Sequence, residues 1–334
     1  MEKTGGYILT VVLNAAIDTT LVVNTAITLG ESYKADEVIK LPGGKGINVA
    51  RVLQTLGVPV HVSGCVGGAA GEFIKSGLEQ AGIAATLQPI VGASRTCTAI
   101  VERATHRATE VNEMGPAISE AEAQAFLELY ERLLPGAQAV TISGSVPPGL
   151  PDDYYAHLLH RAQVASVPSV LDARGQALRV GLERKPLLVK PNAAEAREFI
   201  GHEIKDVEDA VAVGRSMREL GARIVAITRG GEGAVLVTEG GEWQASLRVE
   251  KPISTVGSGD AFVAGFLASL QQSVERGAGR TLVEAATYNE NVVEAFKLAI
   301  ACGAANTLRL GAGILTREDV ERLRGMVEVS PILS

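Results

Sequence analysis

Short continuous apolar runs alternate with longer segments of helical spacing over most of the chain, and few architectures accommodate that order. Strands are predicted at Ile8–Leu13, Val60–Val66, Ala139–Ser143, Ser169–Asp172, Leu187–Lys190 and Ile224–Thr228. Helices are predicted between them at Ile47–Leu56, Gly71–Ala81, Glu120–Leu134, Asp152–Ala165 and Val207–Leu220. A strand that is apolar along its whole length is buried on both faces. The pattern therefore predicts a mainly parallel sheet covered by helices on both sides. Right-handed crossovers then gather the loops that follow the strands along one edge, where α/β proteins bind ligands.

Two stretches break the rhythm. Residues 19–40 and 96–111 are rich in Thr and Val and partly alternating, and are read as antiparallel strands outside the main sheet, forming a lid. Gln271–Asn291 reads as an exposed insertion between two helices, and Thr316–Arg324 as an exposed terminal helix. At 334 residues, with 46% hydrophobic and 21% charged, the chain can build one large domain over residues 1–334. Aromatics are only 4% against 37 glycines, which suits aliphatic strands joined by glycine turns.

Several function classes lose support. A net charge of −7 argues against a nucleic-acid partner, which needs clustered cations against phosphates. Cys65, Cys97 and Cys302 are far apart, with no CxxC or Cys/His cluster, so neither a disulfide framework nor a zinc site is expected. Tyr7–Leu13 is too short to span a membrane and no leader pattern precedes it; a soluble cytoplasmic chain with no membrane partner is expected. No G-x-G-x-x-G follows the first strand, which weakens a dinucleotide-binding oxidoreductase. GxSxG and HExxH are also missing, so hydrolase readings have no anchor, and His157 and His160 lie on a polar helix face.

Four segments carry chemistry. In Ser254–Gly265, "STVGSGDAFVAG", the glycines precede a helical run, so Gly257, Ser258 and Gly259 are expected to present free backbone N–H groups at a helix N-terminus. Such a turn suits phosphate, and Asp260 beside it could accept the proton of an attacking hydroxyl. The helix terminus is expected to keep that carboxylate ionised; capping the helix is the competing role. In "LPGGKGINVAR" the glycines again precede a helix, but Lys45 is followed by Gly46, so this is no Walker A loop. Lys45 and Asn48 could face a polar ligand, or the segment could be a plain turn with a solvated lysine.

Asn14 and Asp18 stand near the end of the first strand, where a carboxylate could accept two sugar hydroxyls or form an Asx turn. Lys190 and Asn192 close another strand, and Glu195 lies three residues beyond Asn192. Those oxygens could hold a hydrated Mg²⁺ or form a capping box. "AITRGGEGAVLV" gives strand, glycine turn and strand, either a nucleotide wall or a hairpin without a ligand.

The ordered set "LNAAID", "GGKGINVAR", "ISGSVPPG", "VKPN", "TRGGEGA" and "STVGSGDAFVAGF" resembles the PfkB-type sugar kinases of the ribokinase-like superfamily, from about Ile8 to Glu321. The resemblance implies a three-layer α/β/α fold with a small β lid, often used for homodimer formation, and ATP and Mg²⁺ as partners. It implies Asp260 as catalytic base and the amides of Gly257–Gly259 as an anion hole. Asp18, Gly43, Gly44, Asn48 and Ser143 fall at sugar positions. Lys190, Asn192, Thr228, Gly230 and Gly233 fall on the nucleotide side, and Glu195 on the magnesium side.

Within the family the chain is most similar to the 1-phosphofructokinase and tagatose-6-phosphate kinase branch. Lys45 and Arg95 match positions that clasp the phosphate already on the sugar. The implied reaction is ATP-dependent phosphorylation of fructose 1-phosphate to fructose 1,6-bisphosphate. Tagatose 6-phosphate and fructose 6-phosphate are the alternative acceptors, and a non-catalytic sugar-phosphate- or nucleotide-binding regulator is the alternative of another class. The chain departs from the branch pattern at Ala15-Ala16, Lys34, Arg174 and Arg229.

Overall fold

A computed structural model describes residues 6–105 and 107–332. Fourteen strands occur among them. In chain order they are β1 (Tyr7–Val12), β2 (Ala16–Val23), β3 (Glu37–Gly43), β4 (Val60–Val66), β5 (Ala84–Pro89), β6 (Arg95–Glu102) and β7 (Arg107–Asn112). There follow β8 (Ala137–Ser143), β9 (Ser169–Asp172), β10 (Leu188–Val189), β11 (Ile224–Thr228), β12 (Ala234–Val237), β13 (Glu242–Ser246) and β14 (Glu328–Pro331). The α-helices are α1 (Lys45–Thr55), α2 (Gly68–Gln80), α3 (Glu120–Leu133), α4 (Tyr154–Val164), α5 (Gly175–Leu182) and α6 (Ala193–Ile200). After them come α7 (Val207–Glu219), α8 (Ser258–Glu275), α9 (Leu282–Ala285), α10 (Asn289–Asn306) and α11 (Arg317–Arg324).

Ten strands form one sheet in the order β14-β13-β12-β11-β10-β9-β8-β1-β4-β5. Pairing is parallel from β11 to β5 and antiparallel from β11 to β14. Side chains alternate between the two faces, as the pleat requires. Ile8, Ala139, Val170, Leu188 and Ala226 meet α1, α8, α10 and α11, while Leu9, Val140, Leu171, Val189 and Val225 meet α3 to α7. A helix layer on each face makes the expected three-layer α/β/α arrangement.

The remaining strands form a second sheet, ordered β3-β2-β6-β7. Its two central strands pair in parallel, Ala16 opposite Arg95, rather than antiparallel as the pattern predicts. The chain path explains this: β2 and β6 both start just past the C-terminal edge of the main sheet, after β1 and β5. Both run outward, and β3 and β7 return beside them in antiparallel pairing. The 271–291 stretch also departs from expectation. α8 continues through Glu275 with Gln271 and Ser273 buried, and α9 docks on the core through Leu282 and Ala285. The strand expected at Leu187–Lys190 shrinks to two residues because Pro186 and Pro191 bracket it and lack N–H donors.

Candidate active site

The loops at the C-terminal ends of β1, β8, β9, β10 and β11, with the second sheet and the start of α8, enclose a cleft of about 1230 Å³. Gly257 caps α8 in the left-handed region, φ +81°, and a Cβ there would lie 2.7 Å from the Ala312 Cβ. Only glycine fits so close an approach in that conformation. The Ser258 N–H is turned to the Thr255 carbonyl oxygen at 3.2 Å. The N–H groups of Gly257, Gly259 and Asp260 have no protein acceptor among the described residues, so Ser258 drops out of the Gly257–Gly259 donor set expected and Asp260 joins it.

Asp260 caps nothing. No side chain caps α8, and the Asp260 carboxylate instead accepts from Asn48 Nδ2 at 2.9 Å. It is 5% exposed and faces the cleft. Burial pushes its carboxyl up to about 7, and the neighbouring Asp172 acts in the same direction. Lys45, Asn48 and Lys190 oppose the rise without cancelling it. This corrects the expectation that the helix terminus keeps Asp260 fully ionised at neutral pH: desolvation outweighs the dipole at a site this closed.

Asp172, at the end of β9, organises the cations. It is 1% exposed, and its Oδ1 lies 3.1 Å from Lys45 Nζ and 3.5 Å from Lys190 Nζ. Burial alone would raise its carboxyl, but the two ammonium groups hold it below the ordinary value. The Lys190 Nζ would lie 3.0 Å from a Cβ on Gly259, which places a buried cation over the first turn of α8. Lys45 also approaches Glu195 Oε1 at 3.6 Å. Despite burial, its ammonium is held above its ordinary range by Asp172, Glu195 and Asp260. Lys45 is thus paired with Asp172 and near Glu195 while its side chain, 35% exposed, lines the cleft.

Asp18, on β2, has its carboxyl raised by burial and drawn back by Arg51, the Gly44 amide, Arg95 and Asn48. A Cβ on Gly43 would fall 2.0 Å from the Asp18 Cγ, so Gly43 makes room for that carboxylate and does not itself line the cleft. Gly44, Lys45, Asn48, Arg95 and Ser143 do line it. Arg95 donates to the carbonyl oxygens of Asn14 (3.2 Å) and Glu113 (2.9 Å). The buried Ser143 Oγ and Asn14 Oδ1 have no protein partner among the described residues, as polar atoms awaiting a ligand or water would.

On the opposite side, Lys190, Asn192, Thr228, Gly230 and Gly233 line the same cleft, with Asn192 bridged to Thr228 in parallel fashion. Asn192 and Glu195 form the capping box: Asn192 N donates to Glu195 Oε2 at 2.8 Å and Glu195 N to Asn192 Oδ1 at 2.9 Å. That leaves Glu195 Oε1 to the cleft. Among the described residues no three His, Cys, Asp or Glu side chains are grouped to hold a metal directly. Glu195 Oε1 fits a hydrated Mg²⁺ reached through water, whereas Asp172 is already engaged by Lys45 and Lys190. Of the departures, Arg174 is exposed at the cleft wall, whereas Arg229 pairs with Glu232 at 2.5 Å and does not line the cleft.

Sequence reasoning passed over Asp172 and Arg51. Asp172 carried the same signal as Asp18, a carboxylate at the end of an apolar parallel strand. Arg51 stands three residues after Asn48, hence on the same helix face.

A helix start with unpaired amides, a buried carboxylate and two lysines stand at the C-terminal edge of a layered α/β sheet of the ribokinase-like fold. A family model for pfkB family carbohydrate kinases matches residues 11–319, and the chain belongs to that family. It is 34% identical to the 1-phosphofructokinase of Bacillus subtilis (strain 168) over 323 residues, covering 97% of this chain and 99% of that protein. A Thermotoga maritima structure described as a possible 1-phosphofructokinase superposes with a TM-score of 0.84 at 25% identity, over 98% of this chain and 100% of that one. Phosphofructokinase-2 of Escherichia coli, solved with substrates and products, gives 0.83 at 25% identity over 96% and 98%. The protein is therefore a 1-phosphofructokinase-like carbohydrate kinase, and the family implies ATP as phosphate donor. Among the described residues no helix is long and apolar enough to cross a membrane.

Proposed function

We propose that the protein transfers the γ-phosphoryl group of ATP to the 6-hydroxyl of fructose 1-phosphate, giving fructose 1,6-bisphosphate and ADP. The observation that carries this reading is the Asp260 carboxylate, buried in the cleft beside unpaired α8 amides and within the field of two lysines. The acceptor hydroxyl loses its proton to Asp260 as its oxygen bonds to phosphorus, and the bond from phosphorus to the β-phosphate oxygen breaks. The amides of Gly257, Gly259 and Asp260 face the oxygens of the transferring group, and Lys190 and Lys45 neutralise charge on the leaving side. Glu195 would hold Mg²⁺ through water, and the ion would supply further charge neutralisation at the phosphates.

A base whose carboxyl titrates near neutrality accepts a proton more readily than an ordinary aspartate, so burial raises its basicity while leaving an ionised fraction. Asp18 is assigned to the sugar hydroxyls, and Arg95 to the phosphate already present on the acceptor. Fructose 1-phosphate is favoured over tagatose 6-phosphate and fructose 6-phosphate by the extent of likeness to the Bacillus subtilis 1-phosphofructokinase. The proposal includes residues 1–334 acting as one unit in the cytoplasm. The second sheet serves as the lid and, through strands that expose Val38 and Val111, as the contact for a second copy.

An ADP-release assay across the three acceptors tests the reaction. Turnover is expected to be highest with fructose 1-phosphate and lost by at least a hundredfold in Asp260→Asn. Arg95→Ala should raise the KM for the sugar phosphate while leaving nucleotide affinity within about twofold. Saturable binding of sugar phosphate and ATP with no ADP formed would identify a regulator instead.

A further inference from the structure

Arg51 does not line the cleft, yet its guanidinium joins three elements that build it. Nη1 donates to Asn48 Oδ1 at 3.1 Å and to the Ala312 carbonyl oxygen at 2.5 Å. Nη2 donates to the Pro42 carbonyl oxygen at 2.5 Å. Pro42 lies on β3 and pairs with Ile17, next to Asp18. Ala312 abuts Gly257, and the same turn is anchored by Asn306, which accepts from Gly313 N and donates to the Val256 carbonyl oxygen, both at 2.8 Å. One side chain thus connects the root of the second sheet, the turn against α8 and the partner of Asp260.

The chemistry of that connection is directional. A guanidinium is a donor only, so the Asn48 amide must present its oxygen to Arg51. Its NH₂ group is then obliged to face Asp260 Oδ2, where it sits at 2.9 Å. A donor there favours the ionised carboxylate; a carbonyl oxygen in its place would favour the protonated acid. We propose that Arg51 is the positioning residue of the base: it locks the Asn48 amide with its donor toward Asp260 and ties that orientation to the position of β3. The inference rests on the reading of Asp260 as the base.

Besides the Arg51–Asn48 pair of α1, the charged groups acting on Asp260 are Lys45 from the same helix, Lys190 from the end of β10 and Asp172 from β9. Arg51→Met leaves all of these but also removes a charge that acts on Asp18 and Asp260, so Arg51→Lys, which keeps the charge, separates the turning of the Asn48 amide from the loss of that charge. The test is the pH dependence of kcat/KM with fructose 1-phosphate and MgATP for wild type, Arg51→Met, Arg51→Lys, Asn48→Ala and the double variant Arg51→Lys/Asn48→Ala. The expected result is an alkaline displacement of the rising limb by about one pH unit in Arg51→Met. At pH 7 that is roughly a fivefold loss, closing to within about twofold at pH 9, with the KM for ATP unchanged.

Because Arg51 acts through Asn48, the charge-preserving double variant Arg51→Lys/Asn48→Ala should titrate like Asn48→Ala alone. A purely architectural Arg51 would lower Tm without moving the limb, and that outcome overturns the proposal, as does an additive double variant. Arg51→Lys keeps the charge but cannot reach three acceptors, and should show an intermediate displacement; it serves if the Met variant fails to fold. An unmoved limb in an enzyme that Asp260→Asn inactivates sinks this inference alone. An active Asp260→Asn sinks the base assignment beneath it.

Discussion

Replacing Asp260 by Asn should stabilise the protein while abolishing its turnover, and the stabilisation should grow with pH. The carboxyl ionises near 3.8 in an unfolded chain and at about 7 in the folded one. Each tenfold difference in proton affinity is worth about 1.4 kcal/mol, so ionising the folded protein costs about 4 kcal/mol. The sign follows from where the proton sits. Between pH 3.8 and 7 the folded state holds a proton that the unfolded state has released, so stability falls as pH rises through that window and is flat above it. The Asn side chain keeps an acceptor for Asn48 Nδ2 and carries no charge, so its variant lacks this loss. Groups remote from residue 260 are common to both proteins and cancel in the comparison. The advantage of Asp260→Asn should therefore widen from about 2 kcal/mol at pH 5 to about 4 kcal/mol at pH 8. At roughly 2 °C per kcal/mol for a chain this long, the Tm difference grows from about 4 to about 8 °C. Calorimetry of the nucleotide-free proteins at pH 5, 6, 7 and 8 measures it. A Tm difference that does not change with pH, or a variant that is less stable at pH 8, refutes the reasoning.

Asp172→Asn removes the counter-ion of Lys190, which is 3% exposed, and of Lys45. Urea unfolding should show a loss of about 3–5 kcal/mol. Since Asp172 also raises the Asp260 carboxyl, the rising limb of the pH profile should move toward acid, opposite to Arg51→Met. Glu195→Gln keeps the capping box, because an amide oxygen can still accept from the Asn192 N–H; Tm should stay within about 1 °C. The Mg²⁺ concentration needed for half-maximal rate should nevertheless rise several-fold, which a metal titration at fixed ATP reads directly.

Much of the fold was legible because it is written locally. β4, β9 and β11 occupy the residues at which continuous apolar runs predict strands, and α1, α2, α3, α4 and α7 begin or end within about three residues of expectation. β5, β13 and β14 escaped notice because they lie at or near sheet edges, half in contact with water, where the apolar signal fades. The shortening of β10 was legible in principle from the flanking prolines. Of the cleft, the glycine turn before α8 and the Asn192–Glu195 pair could be read directly, since each is a property of four consecutive residues.

The amino-acid order alone set the layered α/β/α plan, the helix beginning after Gly257 and the presence of a carboxylate there. Tertiary packing decided what that carboxylate is chemically. Asn48 lies 212 residues from Asp260, and Lys45 lies 127 residues from Asp172. Secondary structure follows from hydrogen bonds and side-chain periodicity between near neighbours, which a short stretch of chain already contains. Proton affinity follows from desolvation and from charges within a few ångströms, and only folding brings those atoms together. The same physics made Arg51 invisible in the sequence, where it is one more cation on a helix, and central in the structure, where its donors join Asn48 of its own helix to Pro42 and to Ala312, 261 residues away.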